Sequence, residues 1–382
     1  MPRMFDILRG KVEEDVKEEK KEEKKEEKKE IKKLSYVDFP DINKKEEIAC
    51  PLVDPLSFPK NIFQPDVKKE KDQEDSSIVS EKLILAMKQH GVDNQYKARE
   101  IYESAVEVIK ILLAEIKTGG QISGYMDKLY ELLDTVFNQL VTGDNLLNSI
   151  YEEKEEEYYL PYHIVNILVL SSVLGLNMGF NKSRLSYLGM ASIFCDSGIG
   201  SMEELVKQPK MFTKEERETV KAHIAGSLGI INSIDVLNEI VKETIAMHHE
   251  RASGNGYPCG MREDNINPYA KILGLVDTYE AMTHTRPYRE KMSAHKAVRV
   301  LIGPLKNDFD TDVIKVFINK MSVYPIGSIV KLDTEEMARV ISVRPGSPLR
   351  PVVMIFRGPC GESITERNIT DLSKQDFPAI KD

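Results

Sequence analysis

Two adjacent imidazoles open the stretch of this chain that is richest in chemistry: His248-His249-Glu250-Arg251, followed by Gly254-Asn255-Gly256-Tyr257-Pro258, Asp277, and Arg286-Pro287-Tyr288-Arg289. Imidazole nitrogens and carboxylate oxygens are donors for divalent cations, and paired guanidiniums match phosphate oxygens. The stretch points to metal ions held beside a phosphate ester. Each piece also has a plainer reading. A histidine pair after Ile240, Val241, Ile245 and Met247 can be a polar helix end, a Gly/Pro segment can be a simple turn, and two arginines three apart can share a solvated helix face. Their conjunction favours the metal site.

Upstream residues add the remaining donor types. His163 opens an apolar helix, Asp196 follows a second and His223 lies on a third, while Asp277 closes the run from Lys271 to Val276. Helical folds collect metal ligands from several helices, so histidines and aspartates far apart along the chain are the expected pattern. Six such candidates in order argue for two metals.

The elements that must position them are mostly helical. Ile101, Ala105, Val108, Ile109 and Leu112 predict a helix over Gln95 to Lys117, ended by Gly119-Gly120; Leu129, Leu132, Leu133, Val136, Phe137, Leu140 and Val141 form a second apolar stripe before Gly143. These helices either cover the catalytic domain or form a dimer or signal-input surface. Further helices are predicted over Lys182 to Phe194, Thr213 to Ile231, Val236 to His249 and Tyr269 to Thr283, with Thr213 and Glu216 as a capping box. Ile164 to Phe180 is apolar but interrupted by Asn166, Ser171, Ser172 and Asn177, which predicts a core helix and no membrane span. Past Tyr324-Pro325, short β-branched runs (Ser328 to Leu332, Arg339 to Val343, Val352 to Phe356) predict a small sheet.

Of the 382 residues, 41% are hydrophobic, enough for a core, and 53 basic against 62 acidic residues give a formal charge of −9. That balance disfavours nucleic acid as a partner and leaves local basic pockets for phosphates. Lys11 to Lys33 is a Lys/Glu tract with no apolar face, expected to act as a spacer that is disordered or a marginal solvated helix; prolines at 40, 51, 55, 59 and 65 continue it as a linker. The charged N-terminus lacks a signal-peptide core and the four cysteines have no paired spacing, so the expected location is the cytoplasm. The predicted organisation is tract and linker at 1–77, with order beginning near Ser80, a helical N-terminal region at 78–150, a metal-binding helical domain at 151–323, and a small β appendage at 324–382.

The motifs His248-His249-Glu250-Arg251, Gly256-Tyr257-Pro258 and Arg286-Pro287-Tyr288-Arg289, with Asp196, His223 and Asp277 at matching intervals, resemble the HD-GYP subgroup of the HD metal-dependent phosphohydrolase superfamily over about Gln95 to Phe356. The resemblance implies a mainly α fold, an HD-type helical bundle, holding divalent metals (iron or manganese rather than zinc) and hydrolysing the bacterial second messenger cyclic di-GMP. By position, His163 and Asp277 would bind the first metal, Asp196 would bridge, and His223, His248 and His249 would bind the second. Asp196 and Asp277 are then the catalytic carboxylates, while Arg286, Arg289 and the Gly256-Tyr257-Pro258 loop face the substrate.

This sequence departs from that pattern at Cys195-Asp196-Ser197-Gly198-Ile199, where the subgroup carries a His-Asp pair and a nearby lysine. Cys195 stays a candidate first-metal ligand as a thiolate, against the plainer reading of an inert buried cysteine. Ile199 cannot replace an ammonium beside a phosphate, which removes about 2–4 kcal/mol of transition-state stabilisation. Tyr159 stands where three-metal members have glutamate, which argues against a third metal. Ser253 stands where aspartate is usual. Two function classes follow: a phosphodiesterase weakened at its first metal, with one metal as the minimum bound, or a non-catalytic receptor or scaffold for a cyclic dinucleotide or for a signalling protein at the Gly254 to Pro258 loop. A phosphohydrolase acting on another nucleotide is a third.

Overall fold

The computed structural model describes residues 93–142, 145–151, 159–234, 237–343, 347–374 and 380–381. The expected spacer, the linker and the onset of order near Ser80 lie outside the described residues. Helix α1 (Asp93–Thr118) buries Ala98, Tyr102, Ala105, Ile109 and Leu112, one stripe at helical spacing. It stops at Gly119, whose φ of +72° only glycine adopts cheaply. Helix α2 (Met126–Thr142) buries the predicted stripe except Val141, which is exposed. The short α3 (Asn145–Ile150) was not predicted.

At the centre runs α4 (Leu160–Asn177), with Pro161 in its first turn, packed against α1, α2, α3 and three later helices. It is buried nearly all round, and each fully buried Leu, Ile or Val contributes about 1.5–3 kcal/mol. That burial offsets the cost of carrying His163, Asn166 and Ser171 into the core. By length and apolarity α4 could cross a membrane, but 83% of it lies buried inside the bundle, as expected of a core helix. No other helix among the described residues meets that test.

Helix α5 (Lys182–Phe194), capped by Asn181, delivers Cys195 and Asp196 into a 3-10 turn (Ser197–Met202), followed by one turn of helix, α6 (Glu203–Val206). The predicted helix over Thr213 to Ile231 is two helices, α7 (Lys214–Lys221), with its Thr213/Glu216 capping box, and α8 (His223–Asn232). The break falls at Ala222 (ψ −6°) and places His223 at a helix start. Helices α9 (Glu239–Met247), capped by Asn238, and α10 (Pro268–Thr283), capped by Asn267, present His248 just past the end of one and Asp277 on the other. Two further helices, α11 (Ala294–Ile302) and α12 (Thr311–Met321), complete the bundle.

The C-terminal sheet is antiparallel in the order β4-β3-β2-β1-β5: β1 (Ile329–Leu332), β2 (Met337–Ser342), β3 (Val352–Arg357), β4 (Ser363–Asp371) and β5 (Ile380–Lys381). Val330, Leu332, Ala338, Val340, Val353 and Ile355 alternate inward to form its own small core with Tyr324 and Leu372. The three predicted strands are present. The two edge strands were missed, because the polar Ser363–Asp371 carries little apolar alternation. The fold is thus the mainly α bundle with a small β appendage.

One backbone approach fixes the site. A Cβ on Gly198 would lie 2.2 Å from the His223 carbonyl oxygen and 2.7 Å from the Ser227 amide nitrogen, both backbone atoms that cannot swing aside. Gly198→Ala is expected to cost about 1–3 kcal/mol and to lower the unfolding midpoint by several degrees in calorimetry. Gly229→Ala, with open space around it, is expected to leave the midpoint unchanged or raise it slightly. Equal midpoints for the two variants would show that the Gly198 approach is not tight.

Candidate metal centre

Each imidazole is aimed by its own backbone or by a carboxylate. His223 Nδ1 lies 2.8 Å from the Val220 carbonyl and His248 Nδ1 lies 2.7 Å from the Ile245 carbonyl. A carbonyl only accepts, so Nδ1 carries the proton in both rings and Nε2 is left as a bare lone pair. Both Nε2 atoms are buried and have no hydrogen-bond partner. His223 Nε2 faces Asp196 Oδ1 at 3.3 Å. With no proton between them, two electron-rich atoms oppose one another, an arrangement that a cation would relieve.

Asp196, His223, His248 and His249 place donor atoms within 4.8 Å of one another, and His163, Asp196 and Asp277 form a second group with Asp196 common to both. The rings of His223, His248 and His249 lie with centroids 4.0–5.5 Å apart. In the second group His163 Nε2 is 2.8 Å from Asp196 and 3.4 Å from Asp277, and His249 Nδ1 is 3.7 Å from Asp277. His249 and Asp277 have side chains 11% exposed, against 2–4% for His163, Asp196 and His223, so the centre opens on their side.

Burial and charge together set the protonation. Burial disfavours the cationic form of His163, but the Glu280 carboxylate overcomes it and raises the pKa to about 9. Burial lowers His248 to about 4 and, with the neighbouring imidazoles and Arg251, holds His249 well below its usual value. Burial opposes ionisation of Asp196, yet the hydrogen bond and charge of His163, with His223 and His248, hold its carboxyl far below the usual range. His248 and His249 are thus neutral imidazoles beside the ionised Asp196 carboxylate, a donor pairing that fits a divalent cation.

Six of the predicted ligands converge, and Cys195 does not join them. Its thiol donates to the Ser192 carbonyl at 3.4 Å, it falls outside both donor groups, and burial with the nearby charges of Asp196 and Asp277 pushes its pKa up. A protonated thiol satisfied within its own helix is a poor ligand. Ile199 is buried as well, its amide bonded to the Asp196 carbonyl.

The Gly-Tyr-Pro loop is fastened from behind. Glu250, buried, accepts hydrogen bonds from the amides of Cys259 (2.6 Å) and Met261 (2.8 Å), while Arg251 donates to the carbonyls of His248 and Glu250 and to Thr278. A Cβ on Gly256 would lie 2.4 Å from Arg251 N and Glu250 Cα, so the loop can pass this close only through glycine. Tyr257 stacks on His249 with ring centroids 4.6 Å apart, its peptide bond to the exposed Pro258 is cis, and Lys221 Nζ lies 5.3 Å from its ring. Ser253 bonds Asp308, which ties the loop to the segment before α12.

The two arginines part company. They are joined as a turn by mutual backbone hydrogen bonds rather than along a helix face. Arg286 is buried, bonds Glu280 at 2.8 Å and lies 4.0 Å from the centroid of the Tyr159 ring. Arg289 donates to the carbonyls of Ala281, Met282 and Glu290, closing the end of α10 instead of reaching the donor groups. Sequence reasoning missed Glu280, which meets His163 Nδ1. Its signal was a carboxylate one helical turn after Asp277 on an otherwise apolar helix.

Residues 147–313 match the HD domain family, and 329–382 match the KOW domain associated with HD domain. A cyclic di-GMP phosphodiesterase of Pseudomonas aeruginosa is 24% identical over 245 residues, covering 64% of this chain and 59% of that protein. One of Borreliella burgdorferi is 27% identical over 196 residues, covering 51% and 52% respectively. A 3'3'-cGAMP-specific phosphodiesterase of Vibrio cholerae is 27% identical, covering 50% of this chain and 44% of its own length. The chain thus spans between two fifths and three fifths of the length of these relatives. The solved structure of Bd1817, an HDGYP protein from Bdellovibrio bacteriovorus, superposes with a TM-score of 0.50 at 16% identity over 62% of this chain and 76% of that one, a likeness of fold.

A helical bundle with an apolar core helix and a His/Asp centre gathered from five segments defines this as an HD-domain protein. Its paired histidines, Gly-Tyr-Pro loop and Arg286-to-Arg289 turn match the pattern of the HD-GYP subgroup.

The protonation pattern carries a pH signature in metal-free protein. His163, raised from 6.5 to about 9, adds stability below pH 6.5 that is lost as pH rises through about 9; His248, lowered to about 4, adds stability above pH 6.5 that is lost as pH falls through about 4. With a chelator present, the unfolding midpoint is expected to peak near pH 6.5, and the alkaline decline should flatten in His163→Gln. An alkaline limb unchanged by that substitution would remove His163 as its source.

Proposed function

We propose that this protein is a metal-dependent phosphodiesterase of cyclic dinucleotides, cyclic di-GMP first among them, with a first metal position altered from the subgroup pattern. The observation that carries the reading is the pair of buried, unpartnered Nε2 atoms of His223 and His248 set against the Asp196 carboxylate. Leaving such atoms unsatisfied costs about 1–3 kcal/mol each, a cost that a bound cation removes. The relatives that act on cyclic di-GMP and 3'3'-cGAMP support the substrate class.

Two divalent ions, when bound, would lower the pKa of an attacking water and stabilise the charge that builds on the diester. His223, His248, His249 and Asp196 would hold one, and His163, Asp196 and Asp277 the other, so the bridging carboxylate Asp196 and the exposed-side carboxylate Asp277 are the catalytic groups. Iron or manganese rather than zinc is what the resemblance to the subgroup implies. The first set, short of the cysteine, offers three donors, and occupancy of the second set alone is the minimum. Tyr257 walls the open side, and Gly256 and Pro258 shape the loop that carries it toward the substrate. Arg286 would supply the guanidinium for a phosphate, with Arg289 bracing the turn behind it. We place the reaction in the cytoplasm.

A second reading is favoured by Cys195 and Ile199: a receptor that binds the nucleotide without cleaving it and passes the signal through the loop, exposed at Asn255 and Pro258, or through a dimer face on α1 and α2 around Ile111, Tyr130 and Val141. Anaerobically purified protein reconstituted with iron, manganese or zinc and given cyclic di-GMP is expected to yield linear product by chromatography. Restoring the missing groups with Cys195→His and Ile199→Lys should raise turnover by roughly 10²–10³-fold, the value of one preorganised donor. Nucleotide binding with no product in any metal would overturn the enzyme in favour of the receptor.

A further inference from the structure

Behind the first donor group a row of buried polar side chains crosses from the N-terminal helix to His163. Tyr102 on α1 donates its hydroxyl to Asn166 Oδ1 at 2.7 Å, Asn166 Nδ2 donates to Glu280 Oε1 at 2.9 Å, and Glu280 Oε2 meets His163 Nδ1. Tyr102, Asn166 and Glu280 are each 1% exposed, and His163 is 4% exposed. His163 Nε2 then points to Asp196 at 2.8 Å.

The row has a direction. A phenol that donates to Asn166 fixes the amide with its oxygen toward α1 and its NH2 toward Glu280; an amide turned the other way would set oxygen against carboxylate. Glu280, which also accepts from Arg286 at 2.8 Å, is then an acceptor toward His163, which holds a proton on Nδ1 and aims Nε2 at Asp196, the side a ligand would take. Asn166 lies one turn after His163 on α4, so α4 keeps the two in step while α1 supplies the fixed end.

We propose that Tyr102, Asn166 and Glu280 are positioning residues through which α1 sets the tautomer and aim of His163, and with them the affinity of the first metal position. Displacement of α1 by whatever acts on the N-terminal region therefore weakens that metal and leaves the second position, where His223 and His248 are aimed by local carbonyls, untouched. This inference rests on the reading of His163 as a metal ligand.

The test uses full-length protein stripped of metal and titrated with Mn²⁺, bound ion being read by electron paramagnetic resonance and by metal analysis. His163→Ala is expected to abolish one class of site. Glu280→Ala should weaken that class by about 10–100-fold and Tyr102→Phe by roughly 3–10-fold, each leaving the other class at wild-type affinity. Ile109→Val, a packing change on the same helix, controls for loss of stability and should leave both classes unchanged. In metal-free protein, ¹⁵N-histidine spectra of Tyr102→Phe should show the His163 resonances shifted from wild type, those of His223 and His248 staying in place. Unchanged Mn²⁺ stoichiometry in His163→Ala would overturn the metal-ligand reading itself. Loss of a site in His163→Ala, together with wild-type affinity in Glu280→Ala and Tyr102→Phe, would overturn the positioning chain alone. An equal loss in Ile109→Val would overturn it as well, by reducing the effect to stability.

Discussion

Four imidazoles and three carboxylates (His163, His223, His248, His249, Asp196, Asp277, Glu280) are withdrawn from water together in the middle of an apolar bundle. Any one ionised group buried alone would carry a penalty of several kcal/mol. The penalty is contained because each carboxylate faces imidazole or guanidinium, and because His248 and His249 stay neutral. What is left over is a concentration of lone pairs around Asp196, oriented inward by carbonyls and by Glu280. The apolar burial of α4 holds this arrangement in place; the lone pairs make it a site.

Glycine sets the spacing. A Cβ on Gly198 would strike the His223 carbonyl, one on Gly274 would come within 2.5 Å of the His248 carbonyl, and one on Gly256 would come within 2.5 Å of the His249 carbonyl. The backbone at each of the three clustered histidines is thus pressed against another segment with no side chain between. Donor atoms from separate segments meet within 4.8 Å because their backbones approach this closely. Glu250 and Arg251 extend the same logic outward, the carboxylate tying the Gly-Tyr-Pro loop to the histidine segment and the guanidinium tying that segment to Thr278 on α10.

Much of this was legible in the residues. Helices with a clear apolar stripe, the core helix with its polar interruptions, and the Thr213 capping box are local patterns, and the structure has them at nearly the expected bounds. The donor types and their order along the chain marked six residues that do meet. What local pattern could not carry was tertiary. The break at Ala222 follows from the approach of Gly198 to α8, and no propensity at Ala222 announces it. Cys195 sits at the right place in sequence, but its thiol turns back to Ser192 because a buried thiol finds its nearest carbonyl there. Arg286 and Arg289 look equivalent as letters, yet one is drawn inward by Glu280 and the other is spent on the carbonyls at the end of α10. Glu280 itself went unmarked, since its partners lie on α4 and beyond.

The two donor groups differ in what encodes them, and this explains where the sequence departs from its subgroup. His223 and His248 are aimed by carbonyls three residues before them, so their geometry follows from helix ends alone. His163 is aimed by a carboxylate that lies 117 residues away along the chain and is held in turn by Arg286 and Asn166. A site built from local hydrogen bonds tolerates drift in its surroundings, whereas one built from long-range ones changes whenever a neighbour does. Cys195 lies close enough to Asp196 and Asp277 of the long-range group for their charges to raise its pKa, while Asp196, His223, His248 and His249 all meet. A donor group that depends on distant partners is therefore the more easily altered of the two, and the one aimed by helix-end carbonyls the more easily kept.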